Sequence, residues 1–262
     1  MAKNMTNANA AQLASPSYRL PALDQDFLLG DSMRGVRFLL EYAKAEEMLR
    51  AWGIRSTIVV FGSARVLEGG PAKQPFWYSQ ARRFAQIASE HGGAKTATGG
   101  IRDNVIATGG GPGLMEAANR GAADAGAPSI GFNITLPHEQ GPNAYSTPEL
   151  TFQFHYFAMR KMHLAMRASA LVVFPGGFGT LDELFEMLNL RQTGKVASLP
   201  IVMFDESYWR SVVDFEALIR AGMIDAFDRS LLDFADDAEA VWAKLLEAGL
   251  QTRARTLPAE EI

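Results

Sequence analysis

Val172-Val-Phe-Pro-Gly-Gly-Phe-Gly-Thr-Leu-Asp-Glu183 is the stretch whose reading decides the fold. An apolar run meets Pro175 and three glycines (Gly176, Gly177, Gly179), then enters an amphipathic segment with Leu181, Leu184, Phe185 and Leu188 on one helical stripe. That order is strand, bare loop, helix N-terminus. Such a junction gathers unpaired backbone N–H groups and the positive end of a helix dipole, and glycine removes the side chains that would hold a phosphate away. The stretch is the chain's best candidate anion site.

The same unit recurs upstream. Ser56–Phe61 is an apolar, β-branched run that ends in Gly62-Ser63-Ala64-Arg65, and Asn104–Thr108 runs into Gly109-Gly110-Gly111-Pro112-Gly113 and a helix through Leu114, Met115 and Ala117. Further strands are predicted at Ser129–Ile134, Leu150–Phe154, Ala170–Phe174, Pro200–Phe204 and Leu231–Ala235. Helices are predicted at Tyr78–His91, Ala158–Ala168, Thr180–Thr193, Tyr208–Ala221 and Asp237–Ala248. The alternation predicts an α/β fold: a Rossmann-like, doubly wound parallel sheet with helices on both faces, whose three glycine loops meet at the carboxyl ends of the strands.

Ahead of this core, residues 1 to about 25 are rich in Ala, Asn, Ser and Pro with little periodicity, which predicts a mobile or surface-draped segment. Asp31–Trp52 predicts an appended helix with Val36, Leu39, Leu40, Tyr42, Met48 and Leu49 roughly on one face, set against the body or a partner. The expected organisation is an N-terminal segment and helix (1–54), a nucleotide-binding catalytic domain (55–250) and a C-terminal tail (251–262). Gly93–Asp103 reads as an inserted loop.

With 262 residues, 48% hydrophobic and 21% charged, the chain is long enough for one sizeable core. A formal charge of −4 disfavours nucleic acid and anionic membrane as partners and suits a small ligand. The absence of cysteine excludes disulfides, thiol chemistry and thiolate zinc sites. His91, His138, His155 and His163 lack metal-ligand spacing, and no stretch approaches the ~18 apolar residues of a membrane span. A soluble, cytoplasmic protein without a metal is expected.

Nucleotide fingerprints narrow the ligand. No stretch supplies a triphosphate-binding loop ending in Gly-Lys-Ser/Thr, and both Gly177–Asp182 and Gly109–Leu114 lack the third glycine of a dinucleotide loop, which leaves a single phosphate. Two plainer readings stand beside this. The glycine turns can serve conformation alone, and Thr180-x-x-Glu183 has capping-box spacing. Arg160, His163 and Arg167 can likewise form a solvated face, with Met162, Ala165, Met166 and Ser169 on the buried side.

Met159-Arg160-Lys161, Pro175 to Glu183 and Gly109 to Glu116 together resemble the LONELY GUY family of cytokinin-activating phosphoribohydrolases, long mislabelled as lysine decarboxylases. The resemblance covers roughly Ser56 to Ala248 and is to the longer bacterial branch. It implies hydrolysis of the N-glycosidic bond of a purine (cytokinin-type) nucleoside 5′-monophosphate to free base and ribose 5-phosphate, without a cofactor, by a homodimer or larger assembly with sites near the subunit interface. It makes Arg160 and Glu183 the catalytic pair. Substrate would be held by Gly62, Ser63, Gly110, Gly111, Met115, Glu139, Lys161, Gly176, Gly177, Phe178, Gly179, Thr180 and Asp182. Two alternatives remain: a non-catalytic carrier or sensor of a nucleotide-like or pterin-like ligand, and a pyridoxal-dependent decarboxylase, whose Schiff-base lysine Lys161 gives no particular sign of being.

Overall fold

A computed structural model describes residues 8–95, 99–137, 141–196 and 199–252. The chain divides into two units, Met1–Lys44 and Ala45–Ile262.

The first unit holds two short helices, α1 (Ala10–Ala14) and α2 (Gln25–Leu29), and the start of α3 (Arg34–Ala51). Asp24 caps α2 by accepting the Phe27 N–H at 3.2 Å, and Arg37 Nη1 donates to the carbonyls of Leu28 and Gly30 at 2.8 and 2.7 Å. Residues 8–25, read as a mobile or surface-draped segment, are almost all exposed and hold α1 and 3-10 turns at Pro16–Tyr18 and Pro21–Leu23. The predicted appended helix is a 3-10 turn at Asp31–Met33 followed by α3, and its apolar face is uneven. Leu49 is fully buried, whereas Leu39 is 62% exposed.

The second unit is built on seven strands: β1 (Thr57–Phe61), β2 (Val105–Thr108), β3 (Ser129–Ile134), β4 (Thr151–Phe154), β5 (Ala168–Val173), β6 (Ile201–Phe204) and β7 (Asp233–Ala235). All pair in parallel, in the order β4-β3-β2-β1-β5-β6-β7. Every residue of β1 and β2 is buried, which is why these runs read as continuously apolar. Alternation along β1 divides the core: Ile58 and Val60 pack with Phe84, Leu114 and Val241, while Val59 and Phe61 pack with Leu164, Leu184 and Trp209. The first group belongs to α4 (Gln74–His91), α5 (Leu114–Asp124) and α10 (Ala238–Glu247). The second belongs to α6 (Phe157–Met166), α7 (Phe178–Gln192) and α8 (Glu206–Val212).

The single predicted helix over Tyr208–Ala221 is two, α8 and α9 (Phe215–Arg220). Val213 is extended, and Asp214 restarts the helix by accepting the Ala217 N–H at 2.8 Å. The Gly93–Asp103 insertion returns at the amino-terminal ends of the strands, where Ile54 bridges Arg102 and Arg55 grips Asp103 at 2.6 and 2.7 Å. It lies far along the strands from the glycine loops; residues 96–98 are outside the described part.

The winding direction sets the site. The chain proceeds outward from β1 through β2 and β3 to β4, then crosses back to place β5 on the other side of β1. Loops leaving β1 and β5 therefore diverge, and the crevice at their carboxyl ends is the ligand position of an open parallel sheet.

Candidate functional site

A cleft of about 680 Å³ opens at this switch point. Its walls are the three glycine loops: Gly62 to Arg65 after β1, Gly109 and Met115 around the β2 loop, and Gly176 to Leu181 after β5. Hydrogen bonds lock the loops together. The Ser63 N–H donates to the Pro175 carbonyl at 3.0 Å, and the Leu114 N–H donates to the Ser63 carbonyl at 3.1 Å. That second contact requires Gly113, which has φ of 72° and whose missing Cβ would lie 2.4 Å from the Ser63 oxygen.

Helix α7 starts two residues before the predicted Thr180, and this changes the meaning of the motif. Its N-cap is Gly177, with no side-chain cap, and its first intrahelical bond runs from the Leu181 N–H to the Gly177 carbonyl at 2.9 Å. The N–H groups of Phe178, Gly179 and Thr180 are thus the free first turn of a helix at the cleft wall. The capping-box reading of Thr180 and Glu183 is corrected: Thr180 is the third helical residue and Glu183 the sixth, too far in to cap. Thr180 packs instead on Gly176, where a Cβ would come within 2.1 Å of its Oγ1. Tyr208, from α8, donates its hydroxyl to the Gly176 carbonyl at 2.9 Å and holds the loop from behind.

Released from capping, Glu183 faces the cleft from within the core, and Arg160 on α6 meets it: Nη2 donates to Oε1 at 2.6 Å. Both side chains are largely buried, 14% and 6% exposed. Burial pushes the Glu183 carboxyl above its ordinary range, and the charges of Arg160 and Lys161 pull it partly back. Arg160 lies over the Phe157 ring at 5.4 Å, and its Nε is buried without a hydrogen-bond partner among the described residues. The solvated-face reading of this helix is overturned. His163 is buried between Phe132 and Phe154, Arg167 Nη2 pairs with Glu46 at 2.8 Å, and Met166, read as part of the buried side, is 49% exposed.

Of the sequence-selected residues, Arg160, Glu183, Gly62, Ser63, Met115, Gly176, Gly177, Phe178, Gly179 and Thr180 line the cleft. Gly110 and Gly111 do not. Their carbonyls accept from Asn143 Nδ2 at 3.1 and 3.0 Å, and Gly110, at φ of 69°, packs on the Gly131 backbone. Lys161 and Asp182 are also outside it and pair with each other at 2.8 Å; Lys161 pairs with Glu186 at the same distance. Burial works against the Lys161 charge, but these two carboxylates raise its pKa, the reverse of what a Schiff-base lysine needs. Glu139 lies outside the described residues. Sequence reasoning passed over Arg65, Leu181 and Tyr208, which also line the cleft. Arg65 closes the β1 loop that it did notice, whereas Tyr208 carries no local signal. Among the described residues, no group of three or more His, Asp or Glu is arranged to hold a metal ion, and no helix is long and apolar enough to cross a membrane.

The chain is similar to known proteins in sequence and, separately, in fold. The family model described as "Possible lysine decarboxylase" matches residues 115–245, half of the chain. The "Probable cytokinin riboside 5′-monophosphate phosphoribohydrolase LOG4" of Oryza sativa subsp. japonica is 28% identical over 149 residues, which span 55% of this chain and 63% of that protein, somewhat under two thirds of its length. Among solved structures, the X-ray structure of the structural-genomics target TM1055 superposes with a TM-score of 0.51 at 18% identity, covering 73% of this chain and 99% of that one, a likeness of fold. The molybdenum cofactor binding protein of the phototrophic bacterium Rippkaea orientalis reaches a TM-score of 0.48 at 17% identity, covering 74% and 95%.

Proposed function

Because the chain belongs to this family, the LONELY GUY phosphoribohydrolases long labelled lysine decarboxylases, we propose that it hydrolyses the N-glycosidic bond of a purine nucleoside 5′-monophosphate. The observation that carries the proposal is the buried Arg160–Glu183 pair at 2.6 Å beside the uncapped first turn of α7 in one cleft. A phosphate on the N–H groups of Phe178, Gly179 and Thr180 holds the sugar over Glu183. Gly177 and Gly179 present open space on this side.

The chemistry follows from charge. As the bond from C1′ to the base nitrogen lengthens, positive charge grows on the sugar and negative charge on the base. The Glu183 carboxylate stabilises the first and orients or deprotonates the attacking water, whose oxygen bonds to C1′. Arg160, permanently charged, stabilises the departing base, which leaves with the proton derived from water. The products are free base and ribose 5-phosphate.

Incubation with AMP, adenosine and an isopentenyladenine ribotide, with free base and ribose 5-phosphate measured, tests the reading. Base release from the monophosphates but poorly from adenosine is expected. Tight AMP binding without products would instead identify a carrier. A homo-oligomer in the cytoplasm completes the proposal. The oligomer is supported by Phe178, 93% exposed at the cleft wall and of a residue type enriched at interfaces, and is tested by light scattering.

A further inference from the structure

We propose that Arg65, at the end of the β1 loop and outside the family match at residues 115–245, is the cation that binds the substrate's 5′-phosphate. The proposal deepens the functional reading above and rests on it for the identity of the phosphate's carrier.

The charges at the cleft wall single it out. Three side chains that carry charge at neutral pH line it: Arg65, Arg160 and Glu183. Arg160 and Glu183 cancel each other at 2.6 Å, and Lys161, next in sequence to Arg160, is turned to Asp182 and Glu186. Arg65 is exposed, and among the described residues its guanidinium makes no ion pair or hydrogen bond. Among the residues lining the cleft there is thus one uncompensated charge, and it is an arginine, whose planar fork grips phosphate oxygens two at a time.

Its backbone is placed for this. The Arg65 N–H donates to Ser63 Oγ at 3.1 Å, and the Ser63 N–H donates to the Pro175 carbonyl at 3.0 Å, so the β1 loop is tied to the loop that leads into α7. Val66, the next residue, is buried and anchors the turn. Arg65 and the free first turn of α7 line the same cleft. The helix dipole alone supplies about half a charge, so a dianion without Arg65 would be under-neutralised.

The test compares Arg65→Gln and Arg65→Lys with the unaltered protein, using inorganic phosphate binding by calorimetry and AMP kinetics. Arg65→Gln is expected to weaken phosphate binding and raise KM for AMP by on the order of tenfold, with kcat little changed and Arg65→Lys in between. Preference for AMP over adenosine should fall by the same factor. Unchanged phosphate affinity and KM in Arg65→Gln overturn the proposal even if AMP is hydrolysed. A protein that binds phosphate through Arg65 but releases no base from any monophosphate keeps the site and removes the hydrolase reading.

Discussion

Arg160 Nη2 and Glu183 Oε1 lie 2.6 Å apart, joining the first turn of α6 to the second turn of α7. The two helices flank one strand, so a separation of 23 residues in sequence becomes a direct contact at the carboxyl end of the sheet. Neither helix alone makes a site. The pair exists because the β5 crossover turns the chain back on itself.

The first prediction concerns Glu183. Glu183→Gln is expected to retain the fold and AMP binding while base release falls by about 10²- to 10⁴-fold. In the unaltered protein the carboxylate is the active form and burial raises its pKa, so activity should fade with acid at a pH above that of an exposed glutamate, near 4.3. A pH–rate profile checks this; an acid limb at or below pH 4 contradicts the assignment.

Two glycines of one motif should respond differently to alanine. At Gly176 a Cβ meets Thr180 Oγ1 at 2.1 Å, so Gly176→Ala is expected to cost about 1–3 kcal/mol and distort the loop. At Gly177 nothing lies within 4 Å, so Gly177→Ala should stay within about 0.5 kcal/mol of the parent yet weaken phosphate binding by filling the cradle. Denaturation curves alongside phosphate titrations separate the effects, and equal behaviour of the two variants would count against the cradle.

Tyr208→Phe removes the hydroxyl that holds the Gly176 carbonyl at 2.9 Å. The expected loss is about 1 kcal/mol of stability, with a several-fold fall in kcat/KM for AMP as the loop loosens. Stability and activity both unchanged would show that the glycine loop holds its shape unaided.

Acid sensitivity should centre on Glu46. The hydrogen bond from Arg167 leads in lowering its pKa, burial opposes, and Arg50 helps, holding the carboxyl at about 2 against an ordinary value near 4.5. A depressed folded-state pKa means the stabilisation is complete above about pH 4.5 and disappears as pH falls toward 2. Glu46→Gln is therefore expected to lose roughly 2–3 kcal/mol at pH 7 and converge on the parent in acid. A stability gap of the same size at pH 7 and pH 2 would falsify this.

Much of the fold was legible because buried parallel strands leave a signature that needs no partner to read. Ser129–Ile134 places Ile130, Phe132 and Ile134 at alternate positions, and it is β3 to the residue. Ends governed by backbone geometry were less legible: α7 starts at Phe178 because glycines there permit an uncapped turn, whereas the Thr180-x-x-Glu183 spacing pointed to a later start. The plainer reading of Arg160, His163 and Arg167 as a solvated face fails for a related reason. Charged and polar residues ordinarily face water, but Glu183 and Glu46 meet the two arginines in the interior and phenylalanine rings enclose the histidine.

By itself, the sequence determined the succession of strands, glycine loops and helices, since local hydrophobic period and turn chemistry act over a few residues. It also marked Arg160 and Glu183 as a pair through resemblance. Tertiary structure alone decided which glycines face the cleft and which merely close a turn, that Lys161 and Asp182 neutralise each other outside it, and that Arg65 stands uncompensated inside it. Charge balance in a cleft depends on distances between residues remote in the chain, and only the packed sheet sets those distances.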